Sequence, residues 1–251
     1  MVKIVTYNLR WDNPEDGEFR FANRKEEVIS RIKEEMPDVI AFQEMRADMQ
    51  EWMEQRMPEY YFVGHGRDAD FNGESIPIAF RKDKFKMRAF ECFWISPTPT
   101  IPGSRYEEQG RSLRICNVLT LYSMEEKGSF RVYNVHLDHV SAVARVKGIQ
   151  LVVDYAEKLN QKEEMASIIL GDLNALPEWE DLNPITKNPK YKDASKNIPV
   201  TFHGFFERAE KIDYIFINEQ IKSKACYIWE DREGKPCLSD HHPVCMLAEF
   251  V

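Results

Sequence analysis

Residues able to do chemistry recur at one kind of place in this 251-residue sequence, the ends of short apolar runs. Asn8 follows IVTY, Glu44 follows VIAFQ, His136 follows VYNV, Asp172 and Asn174 follow IILG, Asp213 precedes YIFI, and Asp240 with His241 precedes HPV. Strand ends along one sheet edge are where α/β proteins assemble sites. Singly, each residue has an ordinary explanation: a strand-end Asn or Glu is commonly a cap or solvated turn, and His241–His242 before Pro243 reads equally as a surface turn. Together they predict more, because three or more carboxylates drawn into one cleft repel one another unless a proton or a cation relieves them. The oxygen donors of Asn8, Glu44 and Asp240 suit a hard cation that keeps water and meets anionic oxygens, magnesium first and manganese second. A zinc site built from His136, His139 and His241 or His242 is the competing arrangement. In HLDH at 136–139 a spacing of three suits one helical face, but the segment follows a strand, which sets His136 and His139 on opposite faces.

The elements that must carry these residues alternate. Val2–Tyr7 reads as a strand, Val28, Ile29, Ile32 and Met36 as a helical stripe with Asn23 as its cap and Pro37 as its stop, Val39–Phe42 as a second strand, and Asp48–Met57 as a further helix. Strands are then expected at Ile76–Arg81, Met87–Ile95, Ile115–Tyr122 and Phe130–Leu137, with a surface loop over Pro97–Gly110. Ser141 opens an amphipathic helix bearing Val146, Ile149, Val152, Val153, Ala156 and Leu159, running to about Asn160. Strands at Ala166–Leu170, Ile212–Ile217, Lys224–Trp229 and Val244–Val251 complete the pattern. No repeat or change of composition divides the chain, so residues 1–251 are expected to form one domain.

With 34 Lys plus Arg against 42 Asp plus Glu the net charge is −8, which argues against indiscriminate polyanion binding while leaving room for a local cationic pocket. The five cysteines are scattered without a CxxC pair, so neither a disulfide framework nor a thiolate zinc site is expected, and a reducing cytoplasm fits. No run is apolar enough for a membrane span, and no obligatory protein partner is indicated.

TYNLR at 6–10, QE at 43–44, NVHLDH at 134–139, GDLN at 171–174, IDYIF at 212–216 and SDHHPV at 239–244 together resemble, in order and spacing, the endonuclease/exonuclease/phosphatase superfamily, the deoxyribonuclease I-like proteins. The resemblance spans essentially the whole chain. It implies an α/β fold, a four-layer α/β/β/α sandwich of two packed mixed sheets flanked by helices, and a magnesium-dependent phosphoester hydrolase. Glu44 resembles the principal metal ligand, with Asn8 and Asp240 nearby. Asp172 and Asn174 resemble the pair that orients the attacking water and binds the scissile phosphate. His241, held by Asp213, resembles the general base, and His136 the second histidine, which contacts phosphate or assists the leaving oxygen. A His–Asp pair of this kind fixes the imidazole tautomer and raises its basicity. Glu74 in NGES sits where a carboxylate orients that second histidine. Arg114, Asn134 and Arg145 are expected at the substrate, Arg145 having an exposed structural role as its plainer reading.

His136 points away from the abasic-site endonuclease branch, and EKIDYI departs from the Trp-Cys-Asp-Arg-Ile pattern of the inositol 5-phosphatases. Trp11, Phe19, Phe21, Phe202, Phe205 and Phe206 lie in loops expected to ring the site. The partner is thus a phosphoester substrate, either a small molecule or nucleic acid. The alternatives are a nuclease acting on RNA or DNA, and a non-catalytic phosphate-ligand binding protein of the same fold. The latter should lack a base or metal ligand, and none is missing.

Overall fold

Alternation along the strands decides which residues face which layer. The computed structural model describes residues 1–251. They form β1 (Val2–Asn8), α1 (Phe21–Glu35), β2 (Val39–Gln43), α2 (Ala47–Glu54), β3 (Tyr60–Val63), β4 (Ile78–Arg81), β5 (Phe85–Trp94), β6 (Ile115–Ser123), β7 (Ser129–His136), α3 (Ala142–Lys162), β8 (Ala166–Asp172), α4 (Asn183–Thr186), β9 (Tyr191–Asp193), β10 (Asp213–Asn218), β11 (Ile221–Ile228) and β12 (Val244–Phe250). Two six-stranded mixed sheets result, ordered β11-β12-β1-β2-β4-β3 and β5-β6-β7-β8-β10-β9. They pack face to face, with α1 and α2 covering the first and α3 the second, giving four layers.

Val2 and Ile4 of β1, Val39 and Ala41 of β2, Phe130 and Val132 of β7, Ile168 and Leu170 of β8, and Ile215 and Ile217 of β10 share the core between the sheets. Their neighbours of opposite parity face the helices: Val5, Tyr7, Ile40 and Phe42 pack beneath α1 and α2, and Tyr133, Val135, Ile169 and Phe216 beneath α3. A period of two then puts Asn8, Gln43, His136, Asp172 and Asp213 on the inner faces at the sheet ends, directly above the shared core.

The short strands β3 and β9 were not expected; with four and three residues they leave too short a pattern to read. Asn23 does not cap α1. Arg20 occupies the cap position, and Asp12 supplies the acceptor the helix start needs, its Oδ1 taking a 2.9 Å bond from Ala22 N. Ser141 does cap α3, its side chain accepting from Ala144 N.

Candidate active site

Strand register brings the polar ends together. His136 stands opposite Asp172 across the parallel β7/β8 pair, and Asp172 opposite Asp213 across the antiparallel β8/β10 pair. On the other sheet Asn8 is level with Gln43, and Glu44 follows at once. The chain leaves these strands through left-handed residues, Arg10 (φ 53°), Glu44 (φ 57°) and Asn174 (φ 49°), each strained by about 1 kcal/mol or more. Such strain persists where the surroundings over-determine a conformation. Gly171 has a different reason to be glycine: a Cβ there would lie 1.8 Å from Val135 O.

Asp172 is the centre of the arrangement. Its Oδ2 is 3.0 Å from Asn8 Nδ2, 3.5 Å from His136 Nε2 and 3.9 Å from His241 Nε2, while its Oδ1 accepts from Asn174 N at 2.9 Å. The Asn8 amide also donates to Glu44 Oε1 at 3.2 Å. His241 Nδ1 donates to Asp213 Oδ2 at 2.9 Å, which leaves Nε2 directed toward Asp172. Asp240 Oδ2 lies 3.9 Å from Arg10 Nε. Glu44, His136, Asp172, Asn174, Asp240 and His241 line one cleft of about 510 Å³. The structure therefore brings all eight strand-end residues to one place, six at the surface of the cleft and Asn8 and Asp213 bonded to them.

The cluster carries unbalanced negative charge. Burial and then the Asp213 charge raise the Asp172 carboxyl far above the usual carboxylate range. Burial works against a charged His241, but Asp213, Asp240 and Asp172 outweigh it and raise its imidazole to about 10. His136 goes the other way, held well below its ordinary value by burial and then by the Arg114 and Arg67 charges. Two histidines across one carboxylate thus differ in protonation at neutral pH.

A stability prediction follows. The His241 pKa is raised on folding from 6.5 to about 10, so its contribution is complete below pH 6.5 and is lost as pH rises toward 10. In EDTA the melting temperature should fall by roughly 5–10 °C over that window, and by less when millimolar magnesium is present to balance the same carboxylates. A melting temperature flat from pH 6.5 to 10 without divalent cations would contradict this reading.

The opposite wall is cationic. Arg114 is 4% exposed; it shares a 3.1 Å contact with His139 Nδ1, while its Nε and Nη1 have no partner. Burial, then Arg67, lowers its pKa to about 10, leaving it charged at neutral pH. A buried guanidinium without a carboxylate costs stability and is suited to receive an anion. Replacing Arg114 with methionine should raise KM by about 10- to 100-fold while raising the melting temperature. Michaelis kinetics and thermal melts check both; an unchanged KM would remove Arg114 from the substrate site. Arg10, Arg67, Arg208 and Trp179 also line the cleft, and none was singled out from sequence, since they sit in loops without periodicity. Arg24 went unrecognised as well: fully buried on α1, it donates to the carbonyls of Phe19, Leu9, Arg10 and Leu238, tying together the loops after β1 and before Asp240.

Several expected placements do not hold. Asn134 lies on the inner face one pleat below His136, wholly buried; it donates to Phe42 O and Ile76 O and accepts from Gln43 Nε2, bridging the sheets beneath the site. Asn134→Ala should therefore cost about 3 kcal/mol, by leaving buried groups unpaired, with KM unchanged. Urea denaturation and kinetics test this, and a raised KM at unchanged stability would return Asn134 to the cleft. Arg145 is buried rather than exposed, bonded to Asp181 at 2.7 Å and Asp138 O at 3.0 Å, and contacts the cleft only through Trp179, whose ring lies 5.2 Å away. Glu74 lines the cleft, but its carboxylate pairs with Arg67 at 2.9 Å, and His136 Nδ1 has no partner. The Asn8 oxygen accepts from Arg10 N at 2.9 Å, so Asn8 offers its amide hydrogens to the carboxylates. His136 and His139 line the same cleft because β7 ends at His136 and the chain turns. Of the six loop aromatics expected to ring the site, Trp11 and Phe202 reach it; Phe21 is core, Phe19 stacks on Phe205, and Phe206 stacks on His203.

A cleft of carboxylates and imidazoles with the buried Arg114 guanidinium among them, at the edge of two packed sheets, is the site of a phosphoester hydrolase. The chain belongs to the Endonuclease/Exonuclease/phosphatase family, whose sequence profile matches residues 5–241. An endonuclease/exonuclease/phosphatase from Bacteroides vulgatus has the same fold, with a TM-score of 0.91 at 30% identity, covering 100% of this chain and 99% of that one. The mannosyl-6-phosphatase of Bacteroides thetaiotaomicron superposes with a TM-score of 0.91 at 24% identity, covering 100% of both chains. An uncharacterized protein of Acanthamoeba polyphaga mimivirus is 28% identical over 166 residues, 62% of this chain; the match spans 60% of that relative's length. All five cysteines are free thiols, and no helix is long and apolar enough to cross a membrane.

Proposed function

We propose that this cleft hydrolyses a phosphate ester of a small polar molecule with the help of a divalent cation, magnesium or manganese. The observation that carries the reading is Asp172, a buried carboxylate within 4 Å of Asn8, His136 and His241 at once. The donors fit such a cation: Glu44 and Asp240 present carboxylate oxygens to the cleft, and no thiol lies among its lining residues. Glu44 would hold it, with Asp240 beside it and Asn8 fixing the carboxylates. When bound, the cation would supply charge neutralisation at the phosphoryl oxygens.

The protein's own groups perform the rest. Asp213 fixes the His241 tautomer, so that Nε2 can take a proton from a water oriented by Asp172 and Asn174. Neutral His136, with Arg114 and Arg67 behind it, binds the phosphate and meets the leaving oxygen. A high pKa makes His241 a strong base that must first lose its own proton, so the rate should rise with pH. A rate that falls from neutral pH toward 10 would assign His241 the acid's role instead.

Concentration of arginine inside the cleft of a chain with net charge −8 favours a small anion over a long duplex. Trp179, 44% exposed at the rim, could stack on a sugar or a base, which keeps single-stranded oligonucleotides in the assay. The test is hydrolysis with magnesium or EDTA, read as p-nitrophenol release from p-nitrophenyl phosphate and bis-p-nitrophenyl phosphate, as phosphate release from hexose phosphates and nucleotides, and as chain cleavage of oligonucleotides. The fold neighbour named as a mannosyl-6-phosphatase makes hexose phosphates the first to try. Cation-dependent turnover that Asp172→Ala abolishes is the expected result; turnover equal in both proteins would overturn the proposal.

A further inference from the structure

Next to His241, and outside the lining of the cleft, His203, Asp231 and His242 converge. One ligand atom from each lies within 4.8 Å of the other two, His203 Nε2 being 3.8 Å from Asp231 Oδ2. His203 is only 5% exposed. Its Nε2, the Asp231 Oδ2 and the His242 Nδ1 are buried atoms without a hydrogen-bond partner. Three unsatisfied polar atoms turned toward one point are costly unless something fills it. We propose that His203, Asp231 and His242 form a second metal site, distinct from the cleft, that takes zinc.

Two imidazoles and one carboxylate form a zinc-like donor set, unlike the oxygen donors of Glu44 and Asp240. Ligands of a tetrahedral zinc stand about 3.4 Å apart, so the 3.8 Å between His203 Nε2 and Asp231 Oδ2 would close by about 0.4 Å and no pair by more than about 1.4 Å. Asp231 is already braced, its Oδ1 accepting from Leu238 N at 2.7 Å. The adjoining groove lined by Phe206, Asp231 and Cys237 provides entry, and solvent there supplies the fourth ligand. His203 Nδ1 accepts a long 3.3 Å bond from Phe206 N. Coordination through Nε2 moves the His203 proton from Nε2 to Nδ1, so the Phe206 amide must turn away, toward the solvent that this 65% exposed residue already meets.

The site joins segments that frame the cleft. His203 follows Phe202, whose ring lies 4.7 Å from that of His241, and His203 N donates to Asp240 O at 2.9 Å. His242 adjoins His241, and Asp231 lies in the loop leading to Asp240. Zinc here would pin the Phe202 loop and the Asp240–His242 segment to one another, fixing the wall of the cleft without touching the substrate.

The experiment is zinc and cobalt(II) binding to the full-length protein after EDTA treatment, read by metal analysis after dialysis and by cobalt visible absorption. Wild type and Glu44→Gln should each retain one zinc and give a tetrahedral cobalt spectrum. His203→Gln and Asp231→Asn should bind at least about 100-fold more weakly. Asp231→Asn keeps the shape and the Leu238 contact, so it remains informative if the histidine variant folds poorly. Zinc should raise the melting temperature of wild type and of neither variant. Wild type that retains no zinc, zinc lost with Glu44→Gln, or zinc kept by both His203→Gln and Asp231→Asn would each overturn the proposal.

Discussion

Replacing His241 with alanine is expected to lower kcat by about 10³-fold, with KM changed little, because the group removed acts on the water and not on the bound ester. His241 Nε2 is the imidazole nitrogen that faces Asp172, and its Nδ1 is committed to Asp213 at 2.9 Å. Asp213→Ala should lower kcat by about 10²-fold or more, by freeing the ring and lowering its basicity. The two residues act as one unit, so the double variant should be scarcely worse than His241→Ala alone. Steady-state kinetics of the two single variants and the double variant decide this; losses that multiply would separate Asp213 from His241 and assign the carboxylate a different role.

Replacing Glu44 with glutamine should have a comparable effect by another route. It removes a carboxylate that faces the cleft from the first sheet, and with it about 4 kcal/mol of transition-state stabilisation, a loss of about 10³-fold in kcat/KM. The magnesium concentration for half-maximal rate should rise with it. Glutamine preserves the shape and can still contact Asn8, whose amide lies 3.2 Å from Glu44 Oε1. Asp240→Asn should be milder, since Arg10 Nε, 3.9 Å from Asp240, already balances part of that charge. A kinetic magnesium titration of wild type, Glu44→Gln and Asp240→Asn measures these effects, and an unchanged magnesium requirement in Glu44→Gln would place the cation elsewhere.

What could be read in the sequence followed from periodicity. Strands buried on both faces give apolar runs, and the polar residue that ends each run is visible as a break, which is how Asn8, Glu44, His136, Asp172 and Asp213 could be found. Depth along the strand was also available and would have corrected one assignment: Asn134, two residues before His136, shares its face but sits a pleat deeper, where the sheets are closed. Arg145 could not be resolved this way, because its place on α3 says which face it shares and not that Asp181 would come to meet it. Arg67, Trp179 and Arg208 reach the cleft from loops, where no period links position to direction. Glu74 illustrates the limit of resemblance: the carboxylate is at the cleft, but a nearby arginine at 2.9 Å takes it away from His136.

The most direct measurement is a crystal structure of the protein with manganese and inorganic phosphate, the metal located by its anomalous scattering. A manganese peak at coordination distance from Glu44 and Asp240, with phosphate against Arg114 and His136, is the predicted result. Phosphate bound away from these residues, or manganese that leaves Glu44 untouched, would contradict it.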